Sequence, residues 1–164
     1  MPMARDEVVR SIEVDLGQQQ AFRLWHERIE LWWPESHRIS GSAEARMSLE
    51  PHVGGRLLER TTDGREIPWG VVRVWDPPRR ISHTFFPAAD PDAPSIVEVR
   101  FEPLGPRRTG VYVRHRRGDL RAERWEGALA RFESGWGRVL AAFEGHVRAD
   151  RVPTPTQRDQ EGPT

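Results

Sequence analysis

The sequence contains no cysteine, no lysine and no asparagine among its 164 residues. Because cysteine is absent, disulfide bonds, thiol nucleophiles and thiolate metal sites are excluded. The chain also has no apolar run of about 20 residues, the length that a membrane-spanning helix needs. Residues 1–14 are too polar for a secretory signal peptide. We therefore expect a cytoplasmic protein that has no membrane partner.

The sequence also lacks a net charge, because 25 basic residues, all of them arginine, balance 25 acidic residues. Binding to nucleic acid usually needs a basic excess that releases counterions from the phosphate backbone. Arg114, Arg116 and Arg117 form a local basic run, but this pattern is typical of the exposed face of a strand. We therefore expect no nucleic-acid partner.

Motifs for metals, cofactors and covalent catalysis are missing as well. The six histidines include no pair spaced by four residues, as a zinc site on one helix requires. Gly135, Trp136 and Gly137 follow no predicted strand and lack a third glycine, so they do not indicate a dinucleotide site. The sequence therefore predicts no metal site, no cofactor and no catalytic residue.

Alternation of apolar and polar residues predicts a series of antiparallel strands. The alternation is clearest in residues 96–101 and 111–116. Asp63 and Gly64 together indicate a hairpin turn. Both faces of residues 67–75 are apolar, so the pattern does not identify the inner face of that strand. Further strands are predicted at 8–14, 47–49, 56–61 and 81–86.

Helical periodicity replaces alternation in two parts of the chain. Apolar residues between 21 and 33 predict two short helices with a joint near residues 26–30, and Pro34 ends them. From about Arg121, apolar residues recur every three or four positions, which predicts one long amphipathic helix. Its apolar stripe consists of Trp125, Leu129, Phe132, Trp136, Leu140, Phe143 and Val147.

Two features bear on the extent of this long helix. Gly135 and Gly137 each cost about 1 kcal/mol relative to alanine inside a helix, so a kink or a new helix start near Glu133 is left open. Residues 148–164 have almost nothing to bury, which predicts a disordered C-terminal tail. A single domain is therefore expected at residues 7–147.

The order of these elements predicts an α+β architecture. A sheet with one apolar face must be covered, and the last helix is the element long enough to cover it. Burial of its stripe contributes roughly 10–20 kcal/mol before opposing terms are counted. The sequence thus predicts a curved antiparallel sheet wrapped around a long C-terminal helix, with two short helices after the first strand.

Several segments together resemble one known family. Among them are DGREIPWGVVRVWDPPRRISHTF and ESGWGRVLAAFEGHV, and the combination of GGR, WG…V.DPPRR and a late GWG is typical of that family. It is the single-domain bacterial branch of the heat-shock protein 90 ATPase activator homologue-like proteins, within the START-like or SRPBCC superfamily. The resemblance implies the helix-grip fold, also called Bet v-like, with a cavity between the sheet and the last helix.

The resemblance implies function less narrowly, because START-like domains include lipid carriers, hormone receptors, polyketide cyclases and co-chaperone domains. We expect a protein that binds a small hydrophobic or aromatic molecule in the cavity and does not catalyse a reaction. The first alternative is a chaperone-associated interaction module. The second is a polyketide cyclase-like or hydrolase-like enzyme that uses cavity histidines. The family also implies a homodimer.

His83 and His115 occupy inward positions on strands whose other inward residues are apolar. They are interpreted either as polar anchors of a ligand pocket or as histidines that bind a backbone carbonyl at its rim. In a cavity, a neutral imidazole would act as an acid or base near pH 7. The seven tryptophans likewise fit either core packing or an aromatic pocket wall. The candidate cavity residues are Trp25, Trp33, Trp69, His83, Phe85, Val97, Val99, Phe101, Val113, His115, Phe132, Trp136 and Leu140.

Arg73 belongs to the strand whose inner face is not assigned. If it were buried, it would need a carboxylate such as Glu59 or a ligand anion, because an unpaired buried charge costs several kcal/mol. A local bulge would instead expose it. The pattern favours the bulge.

Overall fold

The computed structural model describes residues 5–87 and 89–151. Strand β1 is followed by helices α1 and α2, then by six more strands, and the long helix α3 comes last. A short 3₁₀ turn at Glu35–His37 follows α2. The bounds are β1 Glu7–Val14, α1 Gln18–Glu27, α2 Ile29–Trp32, β2 Arg46–Leu49, β3 Arg56–Arg60, β4 Glu66–Asp76, β5 Arg80–Phe85, β6 Ser95–Gly105, β7 Arg108–Arg116 and α3 Ala122–Arg151.

The seven strands form one antiparallel sheet in the order β1-β7-β6-β5-β4-β3-β2. Strands β2 to β7 pair with their neighbours along the chain, and β1 joins the sheet beside β7. Across β6 and β7, Val99 lies opposite Val113 and Phe101 lies opposite Val111, so the clearest alternations in the sequence share one inner face. The predicted α+β helix-grip architecture is confirmed.

Helix α3 covers the inner face of the sheet along the predicted stripe. Trp125 and Phe143 have no exposed surface, whereas Leu129 and Phe132 are partly buried. The helix is continuous across Gly135, so no new helix starts there. Apolar burial on both sides of the glycine outweighs its cost in helix propensity. In the described part of the chain, no helix is long and apolar enough to cross a membrane.

The end of α3 differs from the sequence prediction. The helix continues to Arg151, so the first residues of the segment 148–164 are helical rather than disordered. Val147 is buried just before this turn, and Arg148 pairs with Glu144 one turn earlier at 2.5 Å, which favours the helical backbone. Residues 152–164 lie outside the described residues, so the prediction of a disordered tail stays a prediction for them.

Strand β4 contains an irregularity, which explains why the sequence pattern did not identify its inner face. Trp69 and Val72 are buried, whereas Val71 and Arg73 are exposed. The pairing with β5 shifts register between Val72 and Val74, and a bulge of this kind interrupts simple alternation. Arg73 is therefore exposed at the bulge, as the sequence favoured.

Aromatic rings fill one end of the core between α1, the sheet and α3. The ring centroids of Phe22 and Trp25 lie 5.3 and 5.9 Å from that of Phe101. Trp25 also lies 5.3 Å from Phe143 of α3. These edge-on and tilted contacts are the favourable arrangements for aromatic pairs. The pocket described below lies at the middle of α3, near the end of β5.

Candidate functional site

A pocket with a volume of about 170 Å³ lies between α3 and the end of β5, and it opens to solvent. Most of its walls are aromatic. Five predicted cavity residues line it: Trp33, Trp69, Phe85, Phe132 and Trp136. Five further lining residues were not predicted: His37, Pro87, Arg131, Gly135 and Val139.

The other predicted cavity residues face inward but do not line this pocket. Side chains of α1 and α3 fill the space above β6 and β7, so these residues are packed in the core instead. Alternation identifies the inner face of a strand, but it does not show whether the opposite space is filled. The eight residues concerned are Trp25, His83, Val97, Val99, Phe101, Val113, His115 and Leu140.

A buried carboxylate fixes the segment that follows α2. Glu59 of β3 has no exposed surface. Its two carboxylate oxygens accept hydrogen bonds from the backbone N–H groups of Ile39 and Ser40, each at 2.8 Å. Charge-assisted bonds of this kind are stronger than neutral ones and offset the cost of burying the carboxylate. Glu59 therefore binds backbone rather than Arg73, the partner that the sequence had suggested for a buried arginine.

Arg38 holds the same segment from its other side. Its guanidinium donates to the backbone carbonyl oxygens of Ala45 at 2.8 Å and Trp33 at 3.4 Å. The indole N–H of Trp33 donates to the backbone carbonyl of His37 at 3.1 Å. Trp33 and His37 both line the pocket, and both take part in these hydrogen bonds. Polar groups outside the pocket therefore fix the position of this wall.

Trp69 enters the pocket wall where β4 and β5 approach most closely. A Cβ atom on the next residue, Gly70, would lie 1.8 Å from the carbonyl oxygen of Thr84, so only glycine fits there. The hydroxyl of Thr84 accepts a 2.8 Å bond from the N–H of Val71, and the N–H of Phe86 donates to the carbonyl of Trp69 at 2.7 Å. The indole N–H of Trp69 is buried, and it has no acceptor among the described residues.

His115 lies behind the pocket in a directional chain of hydrogen bonds. The indole N–H of Trp136 donates to Nδ1 of His115 at 3.0 Å, and the hydroxyl of Ser95 donates to the carbonyl of Phe85 at 3.0 Å. Indole nitrogen is only a donor, so Nδ1 must accept, and the neutral ring carries its proton on Nε2. That proton is donated to Ser95 Oγ at 2.7 Å. Burial, together with the nearby His83, lowers the pKa of His115 to about 3.

His83 is also buried and bound to the backbone. Its Nδ1 donates to the carbonyl oxygen of Thr84 at 2.8 Å, which agrees with the interpretation as a histidine that binds a backbone carbonyl. Burial lowers the pKa of His83 to about 4. At neutral pH both His83 and His115 are therefore uncharged core groups that hold neighbouring strands and helix together.

His37 is the histidine that lines the pocket. Its Nδ1 lies 2.9 Å from the hydroxyl of Ser36, and its Nε2 lies 3.6 Å from the place where a Cβ would sit on Gly135. Partial burial lowers the pKa of His37, and the positive charge of Arg138 lowers it further. A neutral imidazole therefore faces α3 across the pocket and is able to accept a proton or a hydrogen bond.

The described residues contain no group of three or more histidine, aspartate or glutamate side chains arranged to hold a metal ion. The polar side chains that line the pocket are instead the His37 imidazole and the Arg131 guanidinium, and the indole N–H of Trp69 is buried in the wall. This combination of aromatic walls and a few polar groups is typical of sites for small organic molecules.

The fold and the pocket together define a helix-grip domain of the START-like class. The family model for Activator of Hsp90 ATPase homolog 1-like protein matches residues 17–148. The chain therefore belongs to this family, as its sequence resemblance predicted. Comparison with curated proteins found no match.

Solved structures with the same fold include both distant and nearer relatives. Protein MLL2253 from Mesorhizobium loti is 19% identical with a TM-score of 0.61, and the match covers 90% of this chain and 99% of that one. DynU16, from the dynemicin biosynthetic locus, is 13% identical with a TM-score of 0.66, over 90% of this chain and 49% of that one. These two likenesses show the fold alone.

The third structure is more similar in sequence. It is the anthrahydroquino-gamma-pyrone synthase Txn09, which was solved as a complex. It is 33% identical to this chain, with a TM-score of 0.58, and the match covers 88% of this chain and 99% of that one.

Proposed function

We propose that this protein binds a small aromatic molecule in the pocket between α3 and the end of β5. The walls offer ring faces and edges from Trp33, Trp69 and Trp136, with Trp33 placed nearly perpendicular to both of the others at 5.6 and 6.2 Å between centroids. A planar ring that packs against them gains stacking and edge contacts as well as apolar burial. The similarity to a synthase named for a polycyclic aromatic product supports the same ligand class.

The observation that carries this proposal is the indole N–H of Trp69. A buried donor without an acceptor costs about 1–3 kcal/mol, and such groups are rare in native proteins. Trp69 lines the pocket, and its indole nitrogen has no acceptor in the described part of the chain. If the indole turned toward the pocket, an oxygen atom on a bound aromatic molecule would supply this acceptor. The expected ligand is therefore an aromatic compound that carries a hydroxyl or carbonyl oxygen.

Gly135 gives the pocket its depth along α3. A Cβ at this position would approach the imidazole of His37 to 3.6 Å, so a larger side chain would occupy the space between the helix and the loop. Gly137 is exposed on the same helix, and nothing lies within 4 Å of the corresponding Cβ position. The two glycines are therefore a matched pair, of which one lines the pocket and one does not.

This pair provides the test of the proposed function. The probe is the neutral hydroxynaphthamide whose hydroxyl and amide groups lie at opposite ends of the ring system, and binding is measured by titration calorimetry. We expect the native protein and Gly137→Leu to bind equally, and Gly135→Leu to bind about tenfold more weakly or worse. Both substitutions improve helix propensity by up to about 1 kcal/mol, so neither is expected to unfold the protein. Equal binding by all three proteins, or by none, contradicts the proposal.

A second candidate function is catalysis on the bound aromatic molecule. It is favoured by the 33% identity to an anthrahydroquino-gamma-pyrone synthase. In this pocket, His37 is the group that would accept a proton, because its pKa is lowered and it is neutral at pH 7. Incubation with polycyclic hydroxyaromatic ketones, followed by mass spectrometry, tests this function. Conversion that disappears in His37→Gln, while binding persists, supports it; binding without conversion supports a carrier or receptor.

A further inference from the structure

A second pocket adjoins the first along α3. Its volume is about 390 Å³, and four residues line both pockets: Phe85, Pro87, Arg131 and Phe132. The side chain of Phe132, which is only partly buried, therefore stands between the two spaces. A ligand that extends past Phe132 would occupy both, and their combined size falls in the usual range for sites that hold small organic molecules.

The charges around these two pockets have one sign. Each charged residue that lines either pocket is an arginine, namely Arg131 in both and Arg124 in the second. Neither guanidinium has a carboxylate partner within ion-pair distance in the described residues, although 13 such pairs occur elsewhere in that part of the protein. The chain as a whole has no net charge. The two arginines therefore give this groove a local positive charge.

The spacing on α3 explains how the arginines and the open space come together. Arg124, Ala128, Arg131 and Gly135 are separated by four, three and four residues, so they lie on one face of the helix. The two small residues leave room for a ligand, and the two arginines stand beside that room. The guanidinium of Arg131 lies 5.9 Å from the centre of the Phe132 ring, which holds it over the boundary between the pockets.

We propose that the ligand of this protein is an aromatic anion, with its ring in the first pocket and its anionic group on Arg131 and Arg124. This inference rests on the proposed function and adds the charge of the ligand to it. Arginine is suited to this role because its planar group binds a carboxylate through two parallel hydrogen bonds. The oxygen acceptor for Trp69 and the anionic group then lie at opposite ends of one molecule.

The test compares hydroxynaphthoate with its neutral counterpart, hydroxynaphthamide, at neutral pH. The two compounds have nearly the same shape, so their affinity ratio measures the contribution of the charge. We expect the native protein to bind the acid about tenfold more tightly than the amide. Arg131→Gln is expected to lower this ratio severalfold, by weakening the binding of the acid more than that of the amide. Raising the salt concentration should weaken the binding of the acid and leave the binding of the amide unchanged.

Arg107→Gln is the matched control. Arg107 is exposed in the turn between β6 and β7, at the end of the sheet opposite the pocket. It is expected to keep the native preference for the acid. Equal affinities of the two compounds in the native protein, or an undiminished preference in Arg131→Gln, overturn this inference and leave the proposed function intact. Binding of neither compound overturns both.

Discussion

The indole N–H of Trp136 donates to Nδ1 of His115 across 3.0 Å, and so connects helix α3 to strand β7 beneath the pocket. This bond joins the long helix to the sheet by a polar contact inside an otherwise aromatic core. It also fixes the position of Trp136, whose ring forms part of the pocket wall. The same interaction thus supports the fold and shapes the candidate site.

Replacing Trp136 by phenylalanine tests this interaction. The substitution removes the donor and leaves a buried imidazole nitrogen without its partner, so we expect a loss of about 1–3 kcal/mol in the free energy of unfolding. It also removes the group that opposes protonation of Nδ1, so the pKa of His115 should rise from its value of about 3. Urea unfolding and an NMR titration of the imidazole protons measure the two effects. An unchanged pKa would show that the bond does not hold the neutral ring.

The buried histidines predict how stability depends on pH. In the folded protein, His83 and His115 take up protons only near pH 4 and pH 3, whereas the ordinary value is 6.5. Between about pH 6.5 and pH 4 the unfolded chain therefore binds more protons, and stability falls as pH falls. Each histidine contributes a slope of up to about 1.4 kcal/mol per pH unit. Above pH 6.5, the pKa of histidine in the unfolded chain, the two buried histidines no longer reduce stability.

Urea unfolding between about pH 7 and pH 5 checks this dependence, since most carboxylates stay ionised in that range. His83→Gln and His115→Gln are each expected to flatten the slope relative to the native protein. Partial burial also lowers the pKa of His26 and His37, so some slope should remain in both variants. A slope that neither substitution alters would contradict the assignment of the two core histidines.

Gly70→Ala is expected to destabilise the protein by about 3 kcal/mol, the upper range for overpacking. The added Cβ would lie 1.8 Å from the carbonyl oxygen of Thr84, so β4 and β5 would have to separate. Gly127→Ala, at an exposed position of helix α3, is the control, because nothing lies within 4 Å of its Cβ position. It should stabilise the protein by up to about 1 kcal/mol. Similar thermal unfolding of the two variants would refute the close approach of the strands.

Glu59→Gln tests the buried carboxylate that holds the pocket loop. Glutamine keeps one acceptor oxygen but turns an amide N–H₂ toward the second backbone donor, so a cost of about 2–3 kcal/mol is expected. Amide hydrogen exchange at Ile39 and Ser40 should accelerate. Glu66→Gln, which removes exposed ion pairs with Arg56 and Arg60, should cost much less, because solvent screens such pairs. Equal losses in the two variants would show that Glu59 has no special structural role.

Trp69→Phe isolates the indole N–H that carries the proposed function. The ring remains in the wall, but the donor is lost. The native protein should prefer hydroxynaphthoate over unsubstituted naphthoate by about tenfold, and the variant should bind the two equally. The variant no longer buries an unpaired donor, which favours its folded state. Its free energy of unfolding without ligand should therefore fall only by the cost of the lost ring volume. If Trp69→Phe still preferred hydroxynaphthoate over naphthoate, the hydroxyl group would not bind to the indole N–H of Trp69.

The fold was accessible from the sequence where the pattern was regular. In β6 and β7, regular alternation places the apolar residues on one face of the sheet. The stripe from Trp125 to Val147 does the same on one face of a helix. These two patterns predict the sheet and the helix that covers it. In β4, by contrast, the bulge between Val72 and Val74 shifts the alternation, and an apolar residue on either face hides the shift. Local irregularities of this kind depend on pairing with other strands.

The candidate site was only partly accessible. Five pocket residues were among the predicted cavity residues, but His37 lies in a loop without periodicity and Arg131 lies on the exposed side of α3. Their place in the pocket depends on how the loop folds back to Gly135. The opposite error concerns residues such as Val99 and His115, which face inward but are covered by other side chains. A sequence pattern gives the direction of a side chain and not the space in front of it.

A crystal structure of the protein with hydroxynaphthoate tests the central claim most directly. The account predicts the naphthalene ring among Trp33, Trp69 and Trp136, with the hydroxyl oxygen within hydrogen-bond distance of the Trp69 indole nitrogen. It also predicts the carboxylate on Arg131. A compound bound on another surface, with the tryptophan side chains closed over the empty pocket, would contradict it.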